Sequence, residues 1–172
     1  MEKLEIHQYR ANVKKKRFEN KRFYENAQKK RPKKIDEHIN DLDEEIFAKT
    51  NCQDCANCCK GSPAILVRRD IVRISKDLGM KPGEFTDEYL TLDRNDDYVF
   101  AQTPCRFLND DNSCNIYDIR PASCADFPYT DQRVVSLTVM HENVAVCPVV
   151  YEITERIKRI YIEELKKKKN KG

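Results

Sequence analysis

The sequence lacks tryptophan altogether and holds only four glycines and three histidines. No stretch approaches the ~20 consecutive apolar residues of a membrane-spanning helix, so no membrane association is expected. There is no glycine-rich loop of the kind that cradles a dinucleotide or a phosphate. No Cys/His or Ser/His/Asp constellation stands out for nucleophilic catalysis, and the Cys-x-x-x-Cys-x-x-Cys spacing of radical-SAM enzymes is absent. Residues 109–113, N-D-D-N-S, carry carboxylates but not the oxygen-ligand spacing of an EF-hand loop, which argues against calcium. Apolar residues make up 40% of the chain against 35% charged, so part of it must be solvated. Something besides a hydrophobic core is then expected to hold the chain, and structural metal is one remedy for a small core.

What the chain has instead is cysteine. Residues 51–60 read N-C-Q-D-C-A-N-C-C-K and contain Cys52, Cys55, Cys58 and Cys59; four more follow at Cys105, Cys114, Cys124 and Cys147. The first ten residues carry charge at Glu2, Lys3 and Glu5 and no apolar run like a signal peptide's, which predicts a cytoplasmic protein. Thiols there stay reduced, so clustered cysteines point to metal or catalysis rather than to disulfides. The formal charge of +3 counts them as neutral. Two four-thiolate zinc sites would add about −4 and bring the net to about −1, so global basicity is no argument for nucleic acid.

Residues 1–34 read as a basic, helical N-terminal arm. Ile6, Tyr9 and Val13 form an apolar stripe, Phe18, Phe23 and Tyr24 follow, and Pro32 interrupts the helix. Lysine and arginine runs interleaved with aromatics suit RNA or an acidic partner; the plainer reading is a solvated helix packing its stripe on the domain. Residues 35–165 read as the domain. Ile35, Ile39, Leu42 and Ile46 predict a helix over 35–50 with Asp36 and Glu37 in its first turn, where the helix dipole favours negative charge. A short strand is expected at 64–67, helices at 70–78 and from Pro82, with Gly79 as a C-cap, and a strand at 98–102. Residues 116–120 predict a helical turn. Residues 133–141 alternate, which predicts a strand with Val135, Leu137, Val139 and His141 on one face. Val150, Ile153, Ile157 and Ile160 predict a last amphipathic helix, and residues 166–172 a basic tail, solvated and frayed at 166–169. The fold class is α+β: a mainly helical small domain with a few short antiparallel strands organised around a cysteine-ligated metal site.

Metal ligands must converge on a sphere of about 2.3 Å radius for Zn–S. Cysteines two residues apart in a tight turn can do so, and Cys52-x-x-Cys55-x-x-Cys58 offers three. The triple also resembles the first three ligands of bacterial ferredoxins, with Cys147-Pro148 as a remote fourth. Cys58 and Cys59 are adjacent, and neighbouring side chains diverge, so they are expected to serve two sites or to include a spectator. Eight cysteines satisfy two four-cysteine sites, or one [4Fe–4S] cluster with four left over; the competing reading makes the later ones buried apolar fillers. Lys60, Arg106 and Arg120 are candidates to neutralise the thiolates. His141 ranks behind the cysteines as a ligand, and His38 reads as a boundary residue.

Cys52-x-x-Cys55-x-x-Cys58-Cys59, Asp70-Ile71-x-Arg73-Ile74, Cys105-x-Phe107-Leu108, Cys114-x-Ile116-Tyr117 and Arg120-Pro121-x-x-Cys124-x-x-Phe127-Pro128 together resemble the YkgJ-type cysteine cluster proteins. That family is described as carrying a zinc- or iron-chelating CxxCxxCC domain. The likeness runs over about residues 52–148, with Ala125 where the family often has arginine. It implies metal chelation and leaves the role open. The first reading is a metal-binding module, iron–sulfur or zinc, structural or electron-carrying and acting through protein partners. The alternatives are an iron–sulfur-dependent redox or protein-modifying enzyme, and an RNA-associated protein using the basic arm.

Overall fold

A computed structural model describes residues 6–132 and 134–169, with side chains for 8–132 and 134–166. Glu2, Lys3, Glu5, the side chain of Ile6, Arg133, the side chains of Lys167, Lys168 and Lys169, and the last three residues of the tail lie outside the described residues. Among the described residues are nine α-helices and one two-stranded antiparallel sheet, so the protein is mainly helical and α+β. The chain divides into two compact units: residues 1–51 with 128–172, and residues 52–127.

The first unit is helical: α1 (Ile6–Lys15), α2 (Arg17–Lys29), α3 (Ile35–Phe47) and, from the far end of the chain, α8 (Leu137–Asn143) and α9 (Pro148–Lys169). Its core is built from apolar positions at helical spacing. Ile35, Ile39 and Ile46 of α3 and Val150, Ile153 and Ile157 of α9 are at most 2% exposed. Buried tyrosines need partners for their hydroxyls. Tyr9 donates to the Val144 carbonyl at 2.9 Å, Tyr24 pairs with Thr154 at 2.6 Å, and Tyr161 donates to the Asn26 carbonyl at 3.1 Å. Lys158 bonds Glu19, Asn20 and Glu155, and Lys16 pairs with the same Glu155. Tyr9, Phe23 and Tyr24 are thus used in packing, whereas Phe18 of the same arm is 73% exposed.

The alternation at 133–141 does not make a strand. Ser136 caps a helix instead, its hydroxyl accepting from the Val139 N–H at 3.3 Å, and Leu137, Met140 and Val144 form the buried face. A cap plus i, i+3, i+7 spacing outweighs the period of two, and His141 sits half-buried against Tyr24, ring centroids 5.4 Å apart. The stretch at 166–169, expected to fray, continues α9 to Lys169.

The second unit, residues 52–127, comprises α4 (Asn57–Gly61), α5 (Arg68–Asp77), α6 (Pro82–Tyr89), β1 (Leu90–Leu92), β2 (Tyr98–Phe100) and α7 (Ala122–Ala125). β1 and β2 pair with Leu90 opposite Phe100. The strand expected at 64–67 is one bridge, Ile65 to Val99. β1 has no counterpart in the sequence reading, because three residues are too few for a period to declare itself. Gly79 closes α5 with φ of 69°, a conformation open to glycine because it has no Cβ. The core joins Leu66, Ile71, Ile74, Phe85, Leu90, Phe100, Phe107 and Ile116, with Cys105 and Cys114 packed against it. Phe85, Tyr89 and Phe107 stack in series at 5.1 and 5.3 Å.

Phe85, fully buried at the head of that stack, carries a large share of a small core. Phe85→Ala is expected to cost about 3–5 kcal/mol. Urea unfolding followed by circular dichroism measures it, and a loss below about 1 kcal/mol would contradict the packing described.

Candidate metal centre

Local backbone geometry accounts for how the early cysteines come together. Residues 52–54 make a single 3-10 turn, closed by the Cys55 and Ala56 N–H groups donating to the Cys52 carbonyl at 3.1 and 2.8 Å. Ala56 then takes a left-handed conformation, φ 46°, uncommon for a residue with a side chain, and reverses the chain into α4. Cys58 and Cys59 occupy the first turn of that helix. Their sulfurs do not diverge: they stand 3.9 Å apart.

Three tethers bring later cysteines to the same unit. The Cys105 N–H donates to the Cys59 carbonyl at 2.8 Å, joining the second cysteine segment directly to the first. Cys114 returns across the 109–113 turn, which the Asn109 N–H closes onto the Ser113 carbonyl at 2.9 Å, and pairs by a bridge with Leu108. Cys124 lies on α7, behind a segment held by α5. There Arg73 donates to the carbonyls of Ile119 at 2.6 Å and Arg120 at 3.0 Å, and buried Asp70 accepts from Arg73 at 2.9 Å and from the Ala122 N–H at 3.4 Å. The sequence reading took Asp70 and Arg73 only as part of a family pattern; their i, i+3 spacing on a helix was the available sign that they act as a pair.

Charge effects among the thiols follow their proximity. Burial first, and then the charges of Cys55 and Cys59, push the Cys52 thiol up. Cys105 is raised by burial and by Cys59 and Cys114, and Cys114 by burial and by Cys59. Cys124 is pushed up to about 12, by burial and then by Cys59, Cys105 and Cys114. Cys59 is the common neighbour, and it alone of these goes down, to about 7, through the hydrogen bond from Cys58, a backbone N–H and the charge of Lys60. Cations are present as well: Arg120 lowers both Cys52 and Cys114, while it also lies over the Tyr117 ring at 4.0 Å. Arg106 instead pairs with Glu88 at 3.1 Å and covers the Tyr89 ring at 4.6 Å.

Cys147 belongs to the helical unit, buried at the start of α9, its N–H donating to the Asn143 carbonyl at 2.8 Å. Among the described residues, no three His, Cys, Asp or Glu side chains are already placed to hold an ion. The donor set nevertheless suits zinc or iron: half-buried sulfur, tethered by backbone bonds, with cations at hand. Neutral thiols must lose protons and draw inward as a metal binds, so closure on the metal is expected to accompany binding.

A family model, CxxCxxCC, described as "Putative zinc- or iron-chelating domain", matches residues 51–168. No curated protein and no solved structure matches the chain.

The hydrogen bond from Cys58 holds the Cys59 thiol down at about 7, so Cys59 is a thiolate above about pH 7 and protonated below it. In chelator-treated protein, iodoacetamide is expected to modify the Cys58–Cys59 pair with a midpoint near pH 7. Cys52, Cys105, Cys114 and Cys124 should follow only in more alkaline solution. Peptide mass spectrometry across a pH series reads this out; equal rates at Cys59 and Cys124 at neutral pH would refute it.

Proposed function

The chain belongs to the CxxCxxCC family, and on that footing we propose that it is a cysteine-ligated metal protein, holding zinc or an iron–sulfur centre and acting through protein partners. The observation that carries this reading is the gathering of sulfurs about Cys59 in the 52–127 unit: the Cys105 N–H bonds the Cys59 carbonyl at 2.8 Å, the Cys58 and Cys59 sulfurs stand 3.9 Å apart, and the Cys59 charge reaches Cys52, Cys105, Cys114 and Cys124. Chance burial of cysteine as an apolar filler gives no reason for five sulfurs to share one neighbourhood.

In this reading the ligands come from Cys52, Cys55, Cys58, Cys59, Cys105, Cys114 and Cys124, all within the 52–127 unit. Lys60 and Arg120 offset the thiolate charge. Zinc would supply a structural cross-link, and an iron–sulfur cluster a one-electron store. The protein's part is to hold the sulfurs close, to exclude some water through the core beneath Cys105 and Cys114, and to release protons as metal enters. The basic arm fits a packing role, because three of its aromatics are buried in the helical unit.

Anaerobic purification followed by metal and sulfide analysis tests the proposal. Iron with matching acid-labile sulfide and visible absorption selects a cluster; colourless protein with about two zinc ions per chain selects four-thiolate sites. Metal-free protein that folds indifferently to chelators would end the reading. Cys59→Ser is expected to reduce bound metal more than Cys147→Ser.

Proton release supplies a further check. Zinc affinity, measured by competition with a chromophoric chelator, should rise steadily from about pH 6 to about pH 8, since raised thiols must each give up a proton. A flat profile would contradict the thiol ligands.

A further inference from the structure

The exposed face of α5 is not accounted for by the cysteine site. The helix buries Ile71, Ile74 and Ser75 and turns Arg68, Arg69, Val72, Arg73 and Lys76 outward. With Val67 these line a shallow groove of about 870 Å³. Val67 and Val72 are 46% and 48% exposed, an apolar floor rimmed by cations. Arg73 is engaged with Asp70 and the 119–120 carbonyls; among the described residues, Arg68, Arg69 and Lys76 form no ion pair.

We propose that this face docks an acidic amphipathic helix of a partner protein, its carboxylates meeting Arg68, Arg69 and Lys76 and its aliphatic side chains covering Val67 and Val72. Charge complementarity sets the sign of the partner, and arginine forks suit carboxylates in particular. The floor sets its class. Single-stranded nucleic acid bound without sequence preference uses aromatic faces for base stacking, and this face offers none; a duplex backbone would meet the cations but leave Val67 and Val72 uncovered. A helix lying on a membrane presents large apolar or aromatic residues on its buried side, where α5 presents two valines. Short branched side chains between cations instead match a helix seated in a groove by anchors at i, i+3 and i+4. Arg68 to Lys76 spans about 12 Å, enough for two turns of a partner.

The position has a consequence for the cysteines. Through Arg73 and Asp70 the same helix holds the segment that carries Arg120 and leads to Cys124. A partner on α5 is therefore seated on the helix that holds the segment leading to Cys124, and the inference stands apart from the metal reading.

Fluorescence anisotropy on the full chain as purified tests it. The probe is a labelled helical peptide of about four turns with leucines on one face and glutamates flanking them. It is expected to bind wild-type protein and to bind the Arg69→Glu/Lys76→Glu variant at least about tenfold more weakly. Replacing the probe's leucines by serine should also abolish binding. Arg69 and Lys76 are exposed, and a glutamate in the first turn of a helix is favourable, so the variant is expected to fold; unchanged helical circular dichroism checks this. Should that variant misfold, Val72→Ser, which keeps every charge, must itself weaken binding. Equal binding by wild type and a folded variant overturns the proposal. So does tighter binding of oligouridylate or phosphatidylserine vesicles that the same variant loses, or a wild-type dimer in sedimentation that the variant dissociates.

Discussion

Negative charge on partly buried sulfur is costly, and that cost is the constraint around which residues 52–127 are built. Cys105, Cys114 and Cys124 rise in pKa first because burial penalises the charged form, and then because a second negative charge stands near at Cys59. Two agents can relieve such a cost. Protons do so in the metal-free chain, leaving the Cys58–Cys59 pair to carry the charge. A cation of higher charge does so more completely and rewards the same closeness that protons merely permit. The chain therefore spends backbone geometry on bringing sulfurs together: a left-handed alanine, a carbonyl bond from Cys59 to Cys105, a hairpin for Cys114, and an aspartate–arginine clamp for the segment before Cys124.

That expenditure explains the make-up of the core beneath. The core of residues 52–127 is small, and two of the partly buried groups packed against it, Cys105 and Cys114, are themselves cysteines. Packing and coordination thus share residues. The aromatic stack through Phe85, Tyr89 and Phe107 gives the cysteine loops a stiff base, and Arg106 adds its guanidinium to the outer face of that stack rather than to the sulfurs. Of the three cations read from sequence as partners of thiolate, Lys60 and Arg120 exert their charge on cysteines, while Arg106 is directed to Glu88 and Tyr89. Sequence distance could not separate these cases, since Arg106 adjoins Cys105 and Arg120 adjoins no cysteine.

Much of the fold was legible because its signals were periodic. The isoleucine rows of α3 and α9, the Pro82 start of α6 and the glycine after α5 each declare a helix or its end over several residues. Legibility failed where the elements are short or two periods compete. Residues 133–141 alternate and also fit a helix, and the deciding contact is a single serine cap. β1 is three residues long and owes its existence to its partner strand. For the candidate site, the cysteines were plain from spacing, but their relative placement depends on hydrogen bonds between segments 46 residues apart (105 − 59), which no local pattern encodes.

The adjacent pair Cys58–Cys59 carries the last step. Side chains of neighbouring residues point apart in extended chain, and that expectation favours separate sites for the two sulfurs. On the first turn of α4 they approach to 3.9 Å instead. Two sulfurs on one tetrahedral ion with bonds of about 2.3 Å are about 3.8 Å apart. A [4Fe–4S] cluster takes one thiolate at each iron, which would place such a pair on different metals, whereas each iron of a [2Fe–2S] cluster takes two. The spacing therefore suits one metal atom gripped by both sulfurs, whether a zinc ion or one iron of a two-iron cluster. The Cys-x-x-Cys-x-x-Cys run argues the other way, toward a [4Fe–4S] cluster. The pair's spacing is a three-dimensional separation within one turn of helix, whereas the run constrains only how far apart three residues lie in sequence. On that comparison two sulfurs on one metal atom fit the first turn of α4 better than two sulfurs divided between metals, and zinc and iron both allow it.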